Sequence, residues 1–113
     1  MNPDADRCRT VLTEAVGCPA WATFLPFLRD AADRIVALDI DPLAAGLYLS
    51  TVGVLVPRYA DPACFATLAC VCREHQVTLV LPSIHEGLMG WSTRREEFAR
   101  QGTFVAVSPP ETI

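Results

Sequence analysis

Lysine is absent from this chain; all nine cationic side chains are arginine. A GC-rich coding sequence accounts for such a bias, but its consequence is chemical. Within these 113 residues no lysine amine can serve a P-loop phosphate clamp, a Schiff base or a receiver-type phosphoacceptor site. Clustered cations are missing too. Net charge is −4, aromatic residues make up only 8%, and the arginines are scattered, so neutralisation of a nucleic-acid backbone has no footprint. No apolar run approaches the roughly 18 residues that a membrane span requires. Residues 1–6 lack the basic start and apolar stretch of a signal peptide, so a cytoplasmic location with no membrane partner is expected.

A disulfide framework is likewise not indicated. The five cysteines (Cys8, Cys18, Cys64, Cys70 and Cys72) are odd in number and scattered, which fits reduced thiols behaving as small buried hydrophobes. Cys70 and Cys72 are two apart on a predicted helix and point about 200° apart, so they do not chelate one metal. No metal site and no catalytic group is predicted in this chain.

What is present is a globular composition, 51% apolar and 19% charged. The length suits one domain able to bury roughly 65% of its unfolded surface. After a polar leader over residues 1–9, the domain is expected to occupy residues 10–113. Residues 10–13 read as a short strand. Pro19 suits a first helical turn, and Trp21, Phe24, Leu25 and Leu28 then repeat at helical spacing. Pro26 falls within that pattern and predicts a kink or an offset start. Residues 34–39 form the second strand, with a short helix near residues 43–49, and residues 53–57 form the third.

Asp61-Pro62 is a helix start, with Phe65, Leu68, Ala69 and Cys72 as its buried stripe. Residues 77–82 are apolar at nearly every position, as a central parallel strand should be. A further helix is expected to break or restart near Ser92, where Thr93 and Glu96 have capping-box spacing, and to end at Gly102. Residues 103–107 are the fifth strand. This alternation predicts an α/β fold, a Rossmann-like three-layer doubly wound sheet of about five mainly parallel strands. The tail, residues 108–113, has the composition of a turn entering another helix, so a fragment of a longer polypeptide is expected.

In such a sheet ligands lie beyond the carboxyl ends of the strands, where the winding reverses. With the first strand central, the crevice would be lined by residues 14–18, by Asp39 and Asp41, and by residues 82–86. The first loop carries one glycine, Gly17, and lacks the glycine pattern of a dinucleotide site. It is either a lone-anion site at a helix start or a plain turn. Asp39 and Asp41 read as a ribose or amine ligand pair, a metal pair, or solvated strand-end residues with Asp41 capping the next helix. An exposed strand-end carboxylate is rarely structural, so Asp39 is expected to carry no structural duty. Ser83, His85 and Glu86 cannot form a triad or a zincin site. They read either as a substrate-contacting loop or, for Glu86, as a charge favouring the helix start.

Residues 39–49 (Asp-Ile-Asp-Pro-Leu-Ala-Ala-Gly-Leu-Tyr-Leu) also resemble the second strand and following turn in the N-terminal domain of ATP-grasp ligases. The likeness is to the branch that includes the carbamoyl-phosphate synthase large subunit and the pyrrolysine-biosynthesis ligase. Val56-Pro57-Arg58 with Asp61-Pro62, residues 79–84 with Glu86-Gly87-Leu88, and residues 107–113 extend it over nearly the whole chain. The resemblance implies a pre-ATP-grasp domain that shapes the acceptor side of the cleft and is not catalytic alone. It implies Gly17, Asp39, Asp41, Ser83 and Glu86 as substrate-lining positions. It further implies an ATP-grasp domain of the same polypeptide as partner, a small-molecule acceptor, and ATP and Mg²⁺ as cofactors of the full-length enzyme only. The first loop departs from the family, whose members place small residues and glycines where Glu14 and Trp21 stand. A free-standing Rossmann-type binding module and a dimerisation module remain as alternatives. A domain that normally packs on a larger partner should expose apolar surface, so a homo-oligomer is expected of the isolated chain.

Overall fold

The sheet order is β3-β2-β1-β4-β5, with every adjacent pair parallel. These strands are β1 (Thr10–Thr13), β2 (Arg34–Asp39), β3 (Val52–Leu55), β4 (Leu79–Leu81) and β5 (Phe104–Val105). The helices between them are α1 (Pro19–Ala31), α2 (Gly46–Leu49), α3 (Cys64–Glu74) and α4 (His85–Arg100). The computed structural model describes residues 8–113; the first seven residues of the polar leader, with the signal-peptide reading made on them, lie outside the described residues. Among the described residues no helix is long and apolar enough to cross a membrane.

Each strand residue faces one of two cores because side chains alternate across the pleat. In β2, Ile35 and Ala37 join Val16, Trp21, Leu25 and Ala44 on the α1 side. Val36 and Leu38 join Leu12, Leu68, Trp91 and Phe98 on the side of α3 and α4. Val36 and Leu38 are 0% and 1% exposed, and burying each contributes about 1.5–3 kcal/mol. Sheet and helices thus make the expected three layers, with β1 central and its carboxyl end between those of β2 and β4.

Several local expectations are corrected. Helix α1 runs unbroken through Pro26, because Pro26 lies on its exposed side and only one backbone hydrogen bond is forgone. Phe24 is 60% exposed and is not part of the stripe formed by Trp21 and Leu25. Helix α2 is a single turn, since residues 42–45 are held as a turn by Asp41. Helix α4 has no break at Ser92: the Ser92 hydroxyl donates to the Ser108 carbonyl at 2.6 Å, and that of Thr93 to Gly90 at 3.2 Å. Of the cysteines only Cys64 and Cys72 are buried. Gly102, with φ +93°, follows α4 in the left-handed conformation that ends a helix.

Gly46 shows why the turn after β2 needs its small residues. Its N–H donates to the Val16 carbonyl at 3.1 Å, bringing α2 against the first loop. A Cβ there would lie 2.4 Å from Val16 Cβ and 2.5 Å from the Val16 carbonyl oxygen. Gly46→Ala is therefore expected to lower the unfolding free energy by about 1–3 kcal/mol, because the obstacle is backbone and cannot rotate away. An unchanged urea midpoint would refute this close approach.

Candidate functional site

The chain leaves β1 at Glu14, a carboxylate only 3% exposed, and turns through Ala15 at φ 56°. An alanine rarely holds that conformation without support from its surroundings. The support comes from Glu14 itself. Its Oε2 accepts the backbone N–H groups of Ser83 at 2.9 Å and Ile84 at 2.7 Å. Its Oε1 accepts the Tyr59 hydroxyl and, at 3.3 Å, the Trp91 indole N–H. The same indole donates to the Tyr59 oxygen at 2.8 Å. One carboxylate therefore ties together the loops after β1, β3 and β4 and the body of α4. Burial, and next the Glu14 charge, hold the Tyr59 phenol well above its ordinary range, so it remains a donor.

Beside this anchor a cavity of about 480 Å³ opens beyond the carboxyl ends of β1, β2 and β3. Leu38, Val56, Cys64, Leu68 and Ile84 supply its apolar lining. Asp39, Arg58 and Glu86 supply charge. Burial also raises the Cys64 thiol above its usual value, which keeps it neutral. Cys18, exposed at the start of α1, stands on the same wall.

The structure brings together some of the residues read from the sequence and separates others. Asp39 and Glu86 both line the cavity. Gly17 does not line it but donates its N–H to Asp39 Oδ2 at 2.9 Å. The other carboxylate oxygen of Asp39 accepts the Asp41 N–H at 3.0 Å. Asp39, half-buried, therefore does have a structural duty, which its strand-end position did not announce: it pins the first loop and the turn after β2. Asp41 lies outside the cavity and accepts the Leu43 N–H at 2.9 Å, closing an Asx turn. Ser83 also lies outside it, held to the first loop by its N–H on Glu14 Oε2 and its hydroxyl on the Glu14 carbonyl at 3.3 Å.

Residues 56–60 were missed as a wall of the site. In the sequence, residues 56–57 read as the end of the third strand and Val56-Pro57-Arg58 as a motif, yet β3 ends at Leu55 and the loop after it folds back over the carboxyl edge and is fixed there through Tyr59. A tyrosine close to the Val-Pro-Arg motif, together with an acidic residue ending the first strand, is the signal that was available.

A family model described as the PylC-like, N-terminal domain matches residues 22–106. No curated protein matches the chain. The matched segment takes in Asp39, Arg58, Tyr59, Glu86 and Trp91, while Glu14 and the first loop precede it. With its parallel five-stranded sheet and three-quarters of its length in the match, the chain belongs to the PylC-like N-terminal domain family.

Proposed function

We propose that this chain is the substrate-side domain of an ATP-grasp carboxylate–amine ligase, working with a catalytic domain of the same polypeptide and not catalytic alone. The observation that carries the reading is the cavity at the carboxyl edge of a PylC-like N-terminal domain, where an open parallel sheet binds its ligand. Ile40 and Leu43 stand exposed beside that edge and offer apolar surface for a catalytic domain to cover. The likeness to the carbamoyl-phosphate synthase large subunit bears on the same reading.

ATP and Mg²⁺ belong to the full-length enzyme. The residues here do not fit a magnesium nucleotide: among the described residues Arg58 is the one cation lining the cavity, while Asp39 and Glu86 would repel a triphosphate. Calorimetric titration of the 113-residue chain with Mg·ATP is therefore expected to show no micromolar binding. In the full polypeptide, sustained ATP turnover should require a carboxylate, which takes the phosphoryl group, and an amine, which then displaces phosphate. A micromolar, magnesium-dependent isotherm for the chain alone would overturn the assignment.

A further inference from the structure

We infer that this chain dimerises through the half of its sheet that no helix covers, each copy laying α1 over β4 and β5 of the other. The two faces of the sheet are unequal. On the side of α3 and α4, Val80 and Val105 enter the core with Leu68, Trp91 and Phe98. On the side of α1, no residue of β4 or β5 joins the core around Trp21 and Leu25 among the described residues. Alternation turns Leu79, Leu81 and Phe104 to this second face, where Leu79 and Phe104 stand side by side. Phe104 is 65% exposed, and Leu79 and Leu81 are half-buried. A parallel sheet is ordinarily covered by helices on both faces, so this strip is short of one.

Helix α1 walls the strip. Arg29 donates to the Leu49 carbonyl, which puts that flank of α1 towards α2. Phe24 and Phe27 lie about 140–160° around the helix from Arg29, on the flank towards β4. With Ala20 and Ala31 they make one exposed apolar stripe at helical spacing. The outer faces of α3 and α4 instead carry charge, at Glu74, Glu97 and Arg100. The strip requires an apolar helix face and α1 has one to offer, so the surface is complementary to itself, as a two-fold contact demands.

Area and charge agree with a second copy as the occupant. At about 200 Å² to a phenylalanine, Phe24, Phe27 and Phe104 together expose about 400 Å², half of the roughly 800 Å² per partner of a standard interface. A two-fold axis beside α1 and parallel to it sets each helix over the other copy's strip. Since α1 runs opposite to the strands, its last turn then reaches the amino end of the other sheet. Arg9 borders Phe104 at that end, and Asp30 stands exposed one turn beyond Phe27, so opposite charges meet twice.

Sedimentation equilibrium of the 113-residue chain from about 1 to 300 µM tests this. A monomer–dimer equilibrium is expected, with a dissociation constant on the order of 50 µM, as suits an interface near the small end of the range. Phe27→Glu and Phe104→Glu should each raise that constant about a hundredfold or more, because the two-fold enters every substitution twice. At about 2 µM, where the parent is monomeric, both variants should keep the parent's urea midpoint, which shows that their fold is intact. Leu43→Glu, at the carboxyl edge, should leave the constant unchanged. Arg9→Asp and Asp30→Arg should each raise it about tenfold, and the double variant should return to within about threefold of the parent. A monomer at every concentration overturns the proposal; if hydroxyl radicals also spare Phe27 and Phe104 in that monomer, the chain's own residues cover the strip. A dimer indifferent to Phe27→Glu and Phe104→Glu, or one broken by Leu43→Glu instead, assigns the contact to another face and overturns it too. A double charge variant that fails to recover overturns the placement of α1 on the other copy's sheet.

Discussion

Replacing Trp91 with alanine is expected to lower the unfolding free energy by about 3–5 kcal/mol. Trp91 is 0% exposed and sits where α4 meets the sheet and α3. Its ring meets Phe65 edge-on, with centroids 5.3 Å apart, and lies 5.1 Å from Phe98. Truncation would empty this space, and the backbone of a 16-residue helix cannot collapse fully into it. Its indole N–H is also lost to Tyr59 and Glu14. Against a total stability of about 5–15 kcal/mol for an ordinary domain, the loss is large enough to unfold a weak one. Trp91→Phe keeps an aromatic ring in the core while removing the donor and part of the buried volume, so a smaller loss of about 1–3 kcal/mol is expected. Phe27→Ala, at a residue 71% exposed, should change stability by no more than about 0.5 kcal/mol. Urea unfolding followed by far-ultraviolet circular dichroism measures all three. A Trp91→Ala midpoint equal to that of the parent would remove Trp91 from the core.

The fold was legible wherever a sequence pattern acts locally. Residues 35–38 read as a central strand because a strand covered on both faces must be apolar at every position, and Ile35 and Val36 do face opposite cores. Asp39 was legible for the same reason, as the first charge where that burial ends. Patterns failed where packing outweighed them. The capping-box spacing at Thr93 had no effect, because a helix already packed through Trp91 and Phe98 gains nothing by stopping between them. Pro26 was harmless because it faces away from the core.

The site was less legible because its organising contacts are distant in sequence. Glu14 meets Tyr59 across 45 residues, Ser83 across 69 and Trp91 across 77. No periodicity or short spacing encodes such pairs. Read alone, Glu14 was only a departure from a glycine-rich loop, and Ser83 looked like a ligand contact because its N–H partner could not be seen.

Glu14→Ala is the substitution expected to disturb both stability and site, with a loss of about 3–5 kcal/mol. Ser83 and Ile84 would lose their backbone acceptor, and Tyr59 and Trp91 would keep only each other. Glu14→Gln retains one oxygen but points an amide donor at one pair of donors, so about 2–3 kcal/mol is expected. Tyr59→Phe removes a single donor from the same carboxylate and should cost about 1 kcal/mol. Because Tyr59 and Glu14 share a bond, the double variant should be less destabilised than the two single losses combined, by about 1 kcal/mol. A structural anchor has a second signature. With the loops after β1, β3 and β4 released, the backbone N–H groups of Ser83 and Ile84 in folded Glu14→Ala should exchange with deuterium faster than in the parent. Additive losses in the cycle would mean that carboxylate and phenol act separately. A Glu14→Ala chain within about 1 kcal/mol of the parent would show that the carboxylate is not the anchor.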